Sequence, residues 1–253
     1  MYDEEYFNSG DADCGAHGPK SYMDQASEGD ASRVEGAHNL DDLVRRVVPD
    51  RGRFLEVGCG PGFLLQELRA LGWDVAGIEL SQYAVDFARN QLGLNVKQGS
   101  IRADEWPAET ADAVFLGDVL EHLPDPVGSL EVIRSWLQPG GALAIAVPST
   151  MSLWSAQLGL TAYRVLGREK VLRIPPYHLM EFVPSTLRRT METAGFEVVR
   201  IRVGAVPISR MGLRGSPIEN SGKVALQLAA HATSRALNRW GDRILALGRR
   251  PGL

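Results

Sequence analysis

The sequence predicts an α/β fold: a mostly parallel sheet of seven strands with helices on both faces, plus a helical cap inserted after the fifth strand. Three observations predict it. Short apolar runs alternate with amphipathic segments from Arg53 to Val147, and strands apolar on nearly every residue are those that parallel sheets bury on both faces. The stretch FLEVGCGPGFLL, residues 54 to 65, places Gly58, Gly60 and Gly62 directly behind the first run. A strand that turns there and re-enters as a helix points unpaired N–H groups at whatever lies beyond its tip. Finally, Glu79 closes the second run about twenty residues further on, where an acid can accept ribose hydroxyls.

Taken in order, residues 1 to 37 are rich in Gly, Asp, Ser and Ala with little periodicity and read as a mobile or loosely helical lead-in. Leu40, Leu43, Val44, Val47 and Val48 recur at helical spacing, and Pro49 stops that helix before a strand at Arg53 to Val57. Leu64, Leu65, Leu68 and Leu71 make the apolar face of the helix after the glycines, and Asp74 to Glu79 is the second strand. Ser81 is placed to cap the next helix. Strands follow at Asn95 to Gln98 and Ala111 to Leu116, then a helix from Pro126 to Leu137, a turn at Pro139-Gly140-Gly141 and a fifth strand at Ala142 to Val147.

Ser149 to His178 breaks this rhythm and is too apolar for a plain loop, so it reads as the cap over the active site. Pro184 to Ala194 is a helix, Phe196 to Val203 the sixth strand, Lys223 to Trp240 a long amphipathic helix and Arg243 to Gly248 the last strand. The organisation is thus a lead-in or lid at 1–40 and one domain at 41–253, with its insertion at about 149–183.

Composition narrows the function. The 253 residues are 44% hydrophobic and 23% charged, with a formal net charge of −4, ordinary values for a globular protein. That charge argues against a nucleic-acid partner, which usually requires a basic stripe. No secretory leader and no run of about eighteen apolar residues is seen, so a cytoplasmic protein without membrane attachment is expected. Cys14 and Cys59 fit no metal or disulfide spacing.

The glycine turn then selects among cofactors. The dinucleotide fingerprint G-x-G-x-x-G needs its third glycine where Phe63 stands. A cofactor with an amino-acid tail instead needs close backbone approach and an upstream carboxylate for its ammonium, and Glu56 is such a carboxylate. A tight strand-to-helix corner with no ligand is the structural alternative.

At these residues the chain resembles the class I S-adenosylmethionine-dependent methyltransferases, from about Arg53 to Val203. LEVGCGPG is similar to the first motif of that family, AGIELS to its ribose-binding second, QGSI to its adenine-contacting third and DAVFLGDVLEHLPDP to its fourth. PPYHLMEFVPSTLRRTMETAGFEVVRI resembles the branch of quinone and natural-product O-methyltransferases. The resemblance implies a Rossmann-like sheet and S-adenosyl-L-methionine held by Glu56, Gly58, Cys59, Gly60, Gly62, Glu79, Leu80, Ser100, Ile101, Gly117 and Asp118, with S-adenosyl-L-homocysteine as product. Ser100 departs from the family's usual aspartate.

Methyl transfer to a hydroxyl also requires a base, and His122, just past the fourth strand, is the first candidate, with His178 the second. Tyr6, Phe7, Trp154, Tyr163 and Tyr177 are candidates to line an apolar acceptor pocket. Asp118, Glu121, His122 and His178 together resemble a divalent-metal pattern of some methyltransferases, but Asp118 and Glu121 are read first as loop and cofactor contacts, with no metal. The expected function is O-methylation of a small-molecule metabolite such as a quinol, phenol, sugar or polyketide. N- or C-methylation and a non-catalytic cofactor-binding protein stand as alternatives.

Overall fold

A computed structural model of the chain describes residues 31–150, 178–206 and 217–252. Helix α1 (Ala31–Val44) leads to β1 (Arg53–Val57), α2 (Phe63–Ala70), β2 (Asp74–Glu79), α3 (Gln82–Asn90), β3 (Asn95–Gln98) and β4 (Ala111–Gly117). A single helical turn, Leu120–His122, precedes α4 (Pro126–Trp136) and β5 (Leu137–Pro148), and α5 (Pro184–Thr193), β6 (Glu197–Gly204), α6 (Pro217–Leu237) and β7 (Arg243–Arg249) complete the order. The seven strands form one sheet in the order β3-β2-β1-β4-β5-β7-β6.

Strands β1 to β5 are parallel, with β1 pairing β2 from Arg53↔Asp74 to Val57↔Ile78 and β4 from Phe54↔Ala113 to Val57↔Leu116. β7 runs antiparallel to both β5 and β6. The chain therefore leaves β1 outward to β2 and β3, then returns to β1's other side with β4. At such a reversal the connections diverge to opposite faces and open a crevice beyond the carboxyl ends of the two strands.

Alternation within the strands fills two cores. Leu55, Val57, Val114, Leu116, Leu143, Ile145 and Val147 point to one face and meet Leu130, Ile133 and Trp136 of α4 and Leu187 and Met191 of α5. Phe54, Ala113, Phe115, Ala142 and Ala144 point to the other, against Leu40 and Val44 of α1, Leu65 and Leu68 of α2 and Val85 and Ala88 of α3. Each such buried aliphatic side chain contributes about 1.5–3 kcal/mol, so both faces hold the strand tips rigidly. Asp41, buried in α1, accepts bonds from Arg51 Nη2 at 2.7 Å and Trp73 Nε1 at 2.8 Å, which ties that helix to the sheet.

Several boundaries depart from the sequence expectation. The first described helix, Ala31–Val44, already covers residues of the presumed lead-in and gives way to a turn after Val44. Pro139-Gly140-Gly141 falls within the bounds of β5 but keeps its turn character: Gly140 has φ 85°, the β4–β5 register jumps from Ala111↔Leu137 to Ala113↔Ala142, Gly140 donates to the Arg250 carbonyl at 3.0 Å and Gly141 accepts from the Arg250 amide at 2.9 Å. The last helix spans Pro217–Leu237, not Lys223 to Trp240. Asn238 stops it: at φ 52 its side chain accepts from the Val203 amide at 2.6 Å and donates to the Ile201 carbonyl at 3.2 Å.

The expected lead-in and cap fall mostly outside the described residues. The two ends of the cap are described, and Ser149 bridges Phe182 while the Thr150 amide donates to the Phe182 carbonyl at 3.3 Å. No helix among the described residues is long and apolar enough to cross a membrane.

Candidate functional site

The glycine turn stands at the end of β1. Gly58, Gly60 and Gly62 have φ of 69, 51 and 86°, left-handed conformations that cost a residue with a Cβ about 1–2 kcal/mol. Space as well as torsion requires the first and third. A Cβ on Gly58 would lie 2.5 Å from Val119 Cγ2, and one on Gly62 2.5 Å from Leu94 Cδ1. Cys59 packs over β2, its Sγ lying 2.5 Å from where a Gly77 Cβ would stand. That closeness demands a small side chain both in the turn and on β2.

Glu79 does more than end β2. Its Oε2 accepts from the Gly60 amide at 2.8 Å and its Oε1 from the Ser81 amide at 2.9 Å, so this buried carboxylate shapes the turn it faces. Each oxygen keeps acceptor capacity for a hydroxyl. Ser81 Oγ in turn accepts from Ala84 and caps α3 at 3.4 Å. Leu80, 58% exposed, stands beside exposed Ser100 and half-buried Ile101 along the rim of β2 and β3.

Glu56 is the orphan of the site. It is buried, and burial first, then the neighbouring Glu79 carboxylate, push its carboxyl well above the ordinary glutamate range. Its Oε2 meets no hydrogen-bond partner among the described residues. Such an oxygen is costly unless a donor or cation arrives. An ammonium laid across the glycine turn would satisfy it, so the residues fit the amino-acid end of S-adenosylmethionine as well as its ribose.

The loop after β4 forms the opposite wall. Gly117 is half-buried, and Asp118, at φ 56°, donates its amide to the Ala146 carbonyl at 2.9 Å. Its two carboxylate oxygens accept Arg243 Nη1 at 2.5 Å and Nη2 at 2.7 Å. Val119 touches the Gly58 turn, and the helical turn Leu120–His122 follows. His122 and His178 meet edge to face with ring centroids 5.0 Å apart. Glu121 joins them, one ligand-type atom of each of the three lying within 4.8 Å of the others. Glu121 is 1% exposed, and burial is the main cause that raises its carboxyl to about 7, with the Asp118 charge adding to it and Arg243 opposing it.

The structure thus brings ligand-type atoms of Glu121, His122 and His178 together, while both carboxylate oxygens of Asp118 accept from the Arg243 guanidinium. Tyr6, Phe7, Trp154, Tyr163 and Tyr177 lie outside the described residues. Two contributors had no signal in the sequence. Arg243 is brought here only because β7 inserts between β5 and β6, and Val119 matters only through its contact with Gly58.

Comparison with known proteins agrees with this architecture. A family described as Methyltransferase domain matches residues 32–201. A ubiquinone biosynthesis O-methyltransferase of Xanthomonas axonopodis pv. citri is 32% identical over 63% of this chain and 68% of its own length. Its counterpart in Aromatoleum aromaticum is 31% identical over 64% and 71%. Among solved structures, an S-adenosylmethionine-dependent methyltransferase of Archaeoglobus fulgidus superposes with a TM-score of 0.58 over 90% of this chain and 98% of its own, at 19% identity. A phosphoethanolamine N-methyltransferase of Haemonchus contortus in complex with S-adenosyl-L-methionine does so at 0.55, 15% identity, over 85% and 52%. At those identities the likeness is one of fold.

Proposed function

Since the chain belongs to the class I S-adenosylmethionine-dependent methyltransferases, we propose that it is a cytoplasmic enzyme that methylates a hydroxyl of a small-molecule metabolite, of the quinol, phenol, sugar or polyketide kind. The observation that carries this reading is the meeting of His122 and His178 across 5.0 Å, in a loop that Val119 joins to the glycine turn. The O-methyltransferase names of the relatives support it.

Bound S-adenosylmethionine supplies an electrophilic methyl group on a sulfonium. The chain's part is to align and to take a proton. Glu56 would accept from the ammonium and Glu79 from the ribose hydroxyls, and Leu80, Ser100, Ile101, Gly117 and Asp118 would hold the remainder of the cofactor. Holding nucleophile and methyl carbon in line can contribute about 7–11 kcal/mol. His122 takes the acceptor's proton at a ring nitrogen as the new C–O bond forms and the methyl C–S bond breaks, its electron pair staying on the sulfur of the departing thioether, and His178 and Glu121 accommodate the charge that His122 gains.

The test is a screen of phenolic, quinol and sugar acceptors with methyl-labelled cofactor and mass identification of the product. His122→Ala should then lower turnover about 10²–10⁴-fold while S-adenosylhomocysteine affinity stays nearly unchanged. Full turnover of that variant from about pH 6 to 9 would make the histidine structural, and a product methylated on nitrogen or carbon would overturn the assignment to a hydroxyl.

One observation favours a second reading. Both oxygens of buried Glu121 are without a hydrogen-bond donor among the described residues, and two imidazoles stand within 4.8 Å. Carboxylate and imidazole donors together suit a transition-metal ion. A metal would polarise the acceptor oxygen, chelator would abolish turnover, and substitutions at Glu121, His122 and His178 would fall together.

A further inference from the structure

Four segments that are distant in sequence close into a ring of contacts around the acceptor end of the site. The Asp242 carbonyl accepts from the Ser149 amide at 2.8 Å, and Ser149 and Thr150 pair with Phe182. Ahead of Phe182, the Leu179 and Met180 amides both donate to the Glu121 carbonyl, at 2.9 and 3.0 Å. Glu121 follows Asp118 in the loop after β4, and Asp118 returns to Arg243, the neighbour of Asp242. Backbone bonds make the other links, with the Thr150 hydroxyl adding one to the Phe182 carbonyl at 3.4 Å and the His122 and His178 rings meeting beside the Glu121 link. The Asp118–Arg243 link is made by side chains at both ends and so depends on residue identity.

The Arg243 end of that link is firmly seated. Arg243 pairs Pro148 of β5 on one side and Gly204 of β6 on the other. Asp242 before it accepts from the Val206 amide at 2.8 Å and from Gln227 Nε2 at 2.9 Å, and Gly241 packs against Gly204 with no room for a Cβ. Burial alone would weaken the guanidinium's hold on its proton, but Asp118, Glu121 and Asp242 around it outweigh that and keep it cationic. At the other end Asp118 is a non-glycine residue at positive φ whose amide donates to the Ala146 carbonyl, in a loop held further by buried Leu120 and by the Glu121 carbonyl. A bidentate guanidinium fixes a carboxylate in direction as well as distance.

We infer that Arg243 is a positioning residue: its two-pronged pair with Asp118 closes the ring and sets where the His122 turn meets the His178 segment. Arg243 touches neither acceptor nor methyl group in this assignment; it deepens the reading of His122 as base by naming what holds His122 and His178 in register.

Amide hydrogen exchange on the full chain tests this without acceptor or cofactor. In Arg243→Met, the Leu179 and Met180 amides should exchange about tenfold faster or more, while Leu55 and Val114 in the sheet keep their protection and the urea midpoint barely moves. Asp118→Asn should reproduce the pattern and provides the same test should Arg243→Met fail to fold. Arg243→Lys, which restores the charge but not the fork, should give intermediate rates. Unchanged exchange at Leu179 and Met180 would overturn the inference, as would equal acceleration throughout the sheet or full rescue by lysine. Because no acceptor is involved, these outcomes are separate from failure of the proposed reaction.

Discussion

Gly60 donates its amide to Glu79 Oε2 at 2.8 Å, so the corner that follows β1 and the acid that ends β2 are one hydrogen-bonded unit. Glu79→Ala would strand two buried amides, those of Gly60 and Ser81, each costing about 1–3 kcal/mol. The variant should lose stability by about 2 kcal/mol or more and S-adenosylhomocysteine affinity together. Urea unfolding beside calorimetry checks this, and lost affinity at an unchanged midpoint would mean that Glu79 serves the ligand alone.

Gly60 itself sits at φ 51°, a region that a β-branched residue avoids. Gly60→Val should abolish S-adenosylhomocysteine binding while circular dichroism still reports the fold. Unchanged affinity in a folded variant would show that nothing approaches the backbone there.

Glu56 supplies a pH prediction. Its folded-state proton affinity is raised, by burial first and then by Glu79, so its contribution to stability is complete below the unfolded glutamate range and is lost as pH climbs toward the folded value. Glu121, raised chiefly by burial to about 7, tilts the curve the same way. Stability of the ligand-free protein should therefore decline as pH rises from about 4.5. Glu56→Gln should flatten that decline and stabilise the protein at neutral pH, yet weaken S-adenosylhomocysteine binding. A flat profile in the parent protein would contradict the orphaned carboxyl.

Gly77→Ala would push a methyl to 2.5 Å from Cys59 Sγ and 2.9 Å from Leu65 Cδ1. Overpacking of this kind costs about 1–3 kcal/mol. Cys59→Ala vacates the space, so the double variant should recover much of the loss. Simple additivity of the two changes in chemical unfolding would place the clash elsewhere.

The strands were legible because charged or amide residues bound each apolar run: Arg53, Asp74 and Asn95 each open one. The glycines, Glu56 and Glu79 were legible for a related reason, since one strand–turn–helix unit and the next strand contain them all. Arg243 was not, because its role depends on which strand lies beside β5, a choice made by pairing over long sequence distances. The contact of His122 with His178 has the same origin. Within β5, Gly140 keeps the left-handed φ that the local turn signal implies, and only the bonds of Gly140 and Gly141 with Arg250 are a tertiary effect that local preference does not carry. Asn238 reads as an ordinary polar residue until its partners on β6 are known.

The bridge of Ser149 and Thr150 to Phe182 has a consequence for loop length. A segment whose ends are pinned to each other enters the domain through one small doorway. Doubling the length of such a closed loop adds only about 0.6 kcal/mol of closure entropy. A change in the length of the chain between Thr150 and Phe182 therefore meets only a small closure cost at these two anchor points, and the pairing at the anchors, rather than the number of residues between them, is what the sheet registers.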